Sequence, residues 1–412
     1  MKQKASIIRL ATAAILLSMA TSCMNDVYDP DKEPTIDPVG ETFGLEIPST
    51  FSWATTRNAE LTISTPVTTS VSLYGDEQGK ELLAEAIVTK DKPSTLTLDI
   101  PTSKQKIYVG YTVKGVQKVL KQDLGATTRA NISITLPVEV DWRHPDTGDA
   151  SKGDMTVYMP SKGNFGTLLF EDKFPVMGDY DMNDFVVGYS LAPYYSLGSK
   201  TTYYEGTDIR LQIRAIGGTL PHRLCVELSS LHTSDIADAT GIYYTTSSTN
   251  PNISVELLSS GNEPVVFAIN GTNTLKEDIF FNVGDHPTSQ PLPVVTISIQ
   301  RDLKDKVAMS VRYGRLLTSE NYNFFLQNTV DKKEIHMKGY SVTPMASNQT
   351  GNNDFATSEN LVWGIKVPVL IPHAREGINI QEAYPRFANW VKSNGSNDPE
   401  WYTIYNKKKV VE

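Results

Sequence analysis

Between Glu41 and Ile371 the chain repeatedly alternates apolar and polar residues for a few positions, breaks at Gly, Pro, Asp or Ser, and then starts again. Alternation with a period of two puts successive side chains on opposite faces of an extended backbone, so each run predicts a strand with one buried and one wet face. The earlier runs are Leu61–Ser64, Val71–Tyr74, Leu96–Ile100, Ile107–Tyr111 and Ile132–Leu136. The later ones are Met155–Tyr158, Ile209–Ile213, Leu224–Leu228, Ile253–Leu258, Val265–Ile269, Val294–Ile299, Val307–Val311 and Ile365–Ile371. A helical turn at Glu81–Glu85 is too short to change the class. One helix is expected near the end, where Tyr384, Phe387 and Trp390 or Val391 recur at helical spacing, Pro385 suits the first turn and Gly395 suits the stop. The predicted fold is all-β: two β-sandwich domains, the second larger and jelly-roll-like, with one short C-terminal helix. The polar stretch that follows Asp141-Trp142-Arg143-His144-Pro145 marks the junction, dividing an immunoglobulin-like sandwich over 41–140 from the larger one over 150–405. With 412 residues, 40% of them hydrophobic, the chain can fill both cores.

The leading residues carry an address. Lys2, Lys4 and Arg9 precede an apolar run from Leu10 to Met19, which is too short to span a bilayer, so residues 1–22 read as a signal peptide. Ala20-Thr21-Ser22-Cys23 resembles a bacterial lipobox, which makes Cys23 the lipidated first residue and the outer membrane the expected anchor. Residues 23–40, with Asp26, Asp29, Asp31 and Glu33 among Pro30, Pro34 and Pro38, predict an extended acidic tether. It resembles the surface-export signals of Bacteroidetes lipoproteins, so the expected location is the cell exterior. Cys225 is the only other cysteine; with Cys23 acylated no disulfide forms within the chain, and Cys225 reads as a small buried residue. A net charge of -9, from 38 Lys and Arg against 47 Asp and Glu, argues against a nucleic-acid partner.

The most informative segment runs from Glu171 to Asp184. Glu171, Asp172, Asp179, Asp181, Asn183 and Asp184 place five carboxylates and one carboxamide between two apolar strands. In an extended backbone Asp179, Asp181 and Asn183 project to one side, and a turn over Lys173–Gly178 returns the chain towards Glu171 and Asp172. Oxygen ligands this close repel one another unless a hard cation neutralises them, and Ca²⁺ accepts 6 to 8 of them with flexible geometry. Magnesium demands a stricter octahedron, and zinc prefers His and Cys, which are absent nearby. An EF-hand does not fit: counted from Asp179, the sixth position is Asp184 instead of Gly and the twelfth is Ser190 instead of Glu. The competing explanation is that these side chains cap backbone amides in tight turns.

Phe170-Glu171-Asp172, followed by Gly178-Asp179-Tyr180-Asp181-Met182-Asn183-Asp184-Phe185-Val186-Val187, resembles the hallmark of LruC-domain proteins, bacterial surface lipoproteins without an assigned function. Lys333–Tyr340, Leu361–Pro368, Ile380–Phe387 and Glu400-Trp401-Tyr402 are similar to that family in order and spacing, so the resemblance covers roughly Asp154 to Tyr402. Phe174 stands where the family usually has Trp, Met182 replaces an aromatic residue, and His373-Ala374-Arg375-Glu376 is looser than its run. The resemblance implies an address and a fold, and no reaction.

No H-E-x-x-H, G-x-S-x-G, Walker or G-x-G-x-x-G motif is present. His336 and His373 read as solvent-edge or hydrogen-bonded strand residues. Most rings of Tyr194-Tyr195, Tyr203-Tyr204 and Tyr243-Tyr244 read as packing, since adjacent strand residues face opposite sides, and Lys407-Lys408-Lys409 reads as a solvated tail. The expected function is a cell-surface binding or adhesion module, calcium-stabilised, without enzymatic activity, for a glycan or protein partner. The alternatives are a calcium-dependent glycan-degrading enzyme, with Glu171 and Asp179 or Asp184 as its acids, and a structural or anchor subunit of a surface assembly.

Overall fold

The computed structural model describes residues 43–90, 93–125, 129–142, 154–197, 202–237, 240–284, 287–301, 311–347 and 354–412; the signal peptide, Cys23 and the tether lie outside the described residues. The strands are β1 (Thr56–Ser64), β2 (Thr69–Tyr74), β3 (Leu82–Val88), β4 (Ser94–Pro101), β5 (Lys106–Val113), β6 (Val116–Asp123) and β7 (Arg129–Thr135). They continue as β8 (Met155–Val157), β9 (Gly166–Phe170), β10 (Phe185–Leu197), β11 (Thr202–Ala215), β12 (His222–His232), β13 (Ile242–Ser248) and β14 (Ser254–Leu257). The last are β15 (Pro264–Asn270), β16 (Val294–Arg301), β17 (Tyr322–Asn328), β18 (Glu334–His336), β19 (Gly364–Val367), β20 (His373–Ala374) and β21 (Val410–Val411). The fold is all-β, as the alternation predicts, with short helices only among the described residues.

A small sheet, β4-β1-β7, closes the amino-terminal half. Its β1 pairs antiparallel with β4 and parallel with β7. Ala59, Leu61 and Ile63 of β1 and Leu96 and Leu98 of β4 are buried, and they join Val71, Leu73, Ile107 and Val109 from β2 and β5 in the core. The large sheet has the order β13-β16-β11-β10-β8-β3-β2-β5-β6, with β9 on β10 and β19 on β9. It is continuous across the junction expected after residue 140, because β8 pairs with β3 on one side and β10 on the other. A five-stranded sheet, β14-β15-β12-β17-β18, contributes Leu224, Val226, Phe267 and Phe324 to the same core as Ile209, Leu211 and Ile297 of the large sheet.

Several local expectations change. The Glu81–Glu85 segment is strand, not a helical turn: β3 is hydrogen-bonded along both edges, and Leu83, Ala84 and Ala86 are buried. Pairing on two sides outweighs a weak local helical preference. Val311 opens a helical turn, Val311–Gly314, while 307–310 lie outside the described residues. The run from Ile365 stops being strand at Val367, because Pro368 has no amide to donate. The C-terminal helix is two pieces, Ile380–Ala383 and Phe387–Lys392, with Pro385 in the link. Gly395 ends it with φ +81° and donates its amide to the Trp390 carbonyl at 2.9 Å. Lys407–Lys409 is not a free tail, since Val410 and Val411 are buried and pair with β20.

The far side of the five-stranded sheet carries a buried polar cluster. His336, fully buried, has Nε2 2.9 Å from Glu334 Oε2 and Nδ1 3.0 Å from Asn323 Oδ1. Asn323 Nδ2 donates to Glu227 Oε2 at 2.8 Å. Glu334 also accepts the Thr343 amide and hydroxyl, each at 2.7 Å, and Gln327 Nε2 at 3.2 Å. Beside it Cys225 is a buried free thiol packed with Val266, Ala268 and Phe325.

Candidate functional site

Strands β9 and β10 are antiparallel neighbours in which Phe170 lies opposite Phe185, so residues 171–184 form a closed loop. Its neck is locked where the Asp172 amide donates to Asp184 Oδ2 at 2.8 Å. The loop does not run as an extended strand. Tyr180 and Met182 have φ of 59° and 58°, left-handed values that cost a non-glycine residue roughly 1–3 kcal/mol each. The hydrophobic core offsets that cost, since both side chains are fully buried in it. Tyr180 stacks on Phe43 with centroids 5.2 Å apart, and its carbonyl accepts the Ile380 amide at 2.9 Å. With 180 and 182 turned into the core, the intervening residues are left to converge.

They converge on Glu171. One carboxylate oxygen from each of Glu171, Asp179 and Asp181 lies within 4.8 Å of the others. Glu171 and Asp181 are buried, while Asp179 is exposed and forms the mouth. Glu171 Oε1 accepts the Met182 amide at 2.7 Å, but its Oε2 is buried with no hydrogen-bond partner. The two oxygens of Asp181 are held by the Asn183 amide at 3.0 Å and by Asn183 Nδ2 at 2.7 Å and the Gly377 amide at 2.8 Å. Asn183, expected as an oxygen donor, turns its nitrogen towards Asp181 and the Ala374 carbonyl, leaving its own Oδ1 buried and unpartnered. It orients Asp181 instead of extending the oxygen cluster.

Asp172 and Asp184 stand behind that cluster. Asp172 Oδ2 accepts the Leu220 amide at 3.2 Å and faces His222 Nδ1 at 3.6 Å. Burial works to raise Asp172, but His222 and the Leu220 amide more than offset it, and its carboxyl is lowered. The other acids move the opposite way. Burial, then repulsion from Asp184 and Asp181, pushes Glu171 well above the usual range, and burial with Asp172 and Asp181 does the same to Asp184. Asp181 is pushed up to about 8 by burial, Asp179 and Glu376. Glu376, up to about 7 through burial and Asp179, is an acid of the site that the sequence reading did not assign.

Two glycines after β11 make room for this arrangement. A Cβ on Gly217 would lie 1.9 Å from Asn183 Oδ1 and 2.8 Å from Glu376 Oε2, and one on Gly218 would lie 2.1 Å from Asp172 Oδ2. Their amides donate to the carbonyls of Asn183 and Asp184. The loop thus rests on the end of β11, on the 374–377 turn and on Ile380, all remote in sequence.

No curated protein matches the chain. The family model described as a domain of unknown function, DUF4842, matches residues 205–402. A 9R-lipoxygenase from Cyanothece aligns over 40% of this chain and 42% of its own, at 5% identity and a TM-score of 0.13. The crystal structure of a candidate lipoprotein from Bacteroides ovatus aligns over 84% of this chain and 99% of its own, at 23% identity and a TM-score of 0.63, and the two chains therefore share a fold.

Proposed function

We propose that the protein is a cell-surface lipoprotein, anchored in the outer membrane through Cys23, whose calcium-stabilised β-sandwich structure acts as a binding or adhesion module for a glycan or protein partner. The lipobox-like Ala20-Thr21-Ser22-Cys23, the LruC-like motifs and the fold shared with a candidate lipoprotein support the address. One observation carries the calcium reading: Glu171 Oε2 is buried and takes no donor, in a carboxylate that has an oxygen within 4.8 Å of the acids of Asp179 and Asp181. An orphaned buried oxygen costs roughly 1–3 kcal/mol, more when charged, and a divalent ion removes both that cost and the repulsion. Glu171, Asp179 and Asp181 would hold the ion, with solvent reaching it past exposed Asp179; Asn183, Asp172, Asp184 and Glu376 support them. The acids lie packed together instead of standing on two sides of a sugar-sized cleft, which favours a binder over a glycosidase.

Terbium luminescence and calorimetric calcium titration test the ion. Saturable binding by the full chain and its loss in Glu171→Gln with Asp181→Asn are expected; an unchanged titration in that double variant refutes it. Protease shaving of intact cells tests the address, where protection of the protein would rule out outward display.

A further inference from the structure

A second place in the molecule also leaves a buried charge unanswered, and here the charge is positive. Arg214, at the end of β11, is 7% exposed, and its guanidinium Nε and Nη1 are buried without a hydrogen-bond partner. No carboxylate pairs with it among the described residues. Burying a cation unpaired costs several kcal/mol, so a fold that retains one has a use for it or meets its counter-ion from outside. Arg214 nonetheless contributes to the wall of a recess of about 460 Å³ that opens widely to solvent. The walls include Leu370, Pro372 and Tyr405, and exposed Lys407 adds a second cation at the rim. Glu412 is the acid on this wall, and its Oε1 accepts the Tyr405 hydroxyl at 3.2 Å instead of meeting Arg214. Buried His373, held neutral with its imidazole pulled down to about 4 by burial and then by Arg214 and Arg375, supplies no negative charge. A larger groove, of about 510 Å³, makes a useful contrast, since its Lys104 and Glu81 pair with each other at 2.5 Å.

We propose that the Arg214 recess binds the carboxylate of an acidic sugar. Arginine's planar fork matches a carboxylate, and a guanidinium already stripped of water gives up little hydration on binding it. The tyrosine ring and the apolar faces of Leu370 and Pro372 suit the C–H face of a pyranose, which distinguishes a uronic acid from a bare anion. The assignment rests on reading the protein as a binding module and is independent of the calcium loop.

The test is calorimetric or NMR titration of the full chain with glucuronic acid, using glucose, acetate and a short peptide with a free carboxyl terminus as comparisons. Saturable glucuronate binding, at least about tenfold tighter than glucose or acetate, is expected, with a loss of about tenfold or more in Arg214→Gln. Tyr405→Ala loses less. Because no internal partner is broken, Arg214→Gln keeps or raises the melting temperature and keeps the calcium response of the parent. Absence of glucuronate binding overturns the proposal, as does glucose, acetate or the peptide binding equally well. A melting temperature that falls in Arg214→Gln as for a broken ion pair also overturns it, by revealing an internal counter-ion. Glucuronate binding in a parent chain that ignores calcium would sustain this site while removing the calcium reading.

Discussion

The polar cluster on the five-stranded sheet and the acidic loop after β9 bury acids equally deeply and treat them in opposite ways. Glu334 is fully buried, and both its oxygens are taken up by Thr343, Gln327 and His336. Glu171 is fully buried too, yet one oxygen has a single amide and the other has nothing, and its nearest charged neighbours are more acids. Burial alone therefore does not separate a structural acid from a ligand-seeking one. The donor count differs: Glu334 is completed by its own protein, whereas Glu171 is left a donor short.

The sharpest way to widen that contrast is pH, applied to protein stripped of metal. The folded chain holds protons on Asp181 up to about pH 8 and on Glu376 up to about pH 7, protons that the unfolded chain releases near pH 4. Raised folded-state values mean this stability is fully present below about pH 4 and lost as pH climbs through about 7 and 8, at about 1.4 kcal/mol per pH unit for each proton. Melting temperatures in chelator should fall across that window and stay flatter in saturating calcium. Subtracting the two curves cancels His373, which acts in both; superimposable curves would erase the distinction between the clusters.

Next in size is His336→Ala, which breaks the completed cluster and leaves Glu334 short of a donor. A loss of about 3–5 kcal/mol in urea unfolding is expected, the same with and without calcium. Asp181→Ala should behave in the reverse manner, losing about 3 kcal/mol at a calcium level a hundredfold above the dissociation constant and little in chelator. Equal losses in both conditions would mean that the loop is held by its own amides. The smallest effect belongs to Gly217→Ala, whose added methyl displaces Asn183 and with it Asp181; about 1–3 kcal/mol is expected, with weaker calcium binding by titration.

Much of the scaffold was legible because a half-buried strand leaves its mark on local alternation, as in Leu61–Ser64 within β1 and Val71–Tyr74 within β2. β3 was not legible, because both its faces carry buried residues and its strand character comes from neighbours β2 and β8. β6 was missed for the opposite reason, being largely exposed at the sheet's edge. In the site, acid density pointed to Glu171, Asp179 and Asp181, which do converge. It could not distinguish them from Asp172, Asp184 and Asn183, whose different tasks depend on His222, Leu220 and Ala374 arriving from distant segments. The adjacent Gly217 and Gly218, directly after a strand, were the one local sign of a close approach. Glu376 and Arg214 left no sequence signal, since a single charged residue looks the same paired or unpaired.

The first described residues are fastened to the last helix. Phe51 and Trp53 pack on Trp390 with ring centroids 4.8 and 6.0 Å apart, the Trp53 indole donates to the Asn360 carbonyl, and Gln381 donates to the Phe43 carbonyl. Tension arriving along the chain from its leading segment would therefore enter the molecule at that aromatic clasp, beside the helix, before reaching any strand of the amino-terminal half. Those strands would be bypassed by the load path, and the clasp, not the sheet edges, would set how hard the molecule can be pulled from its leading end before it yields.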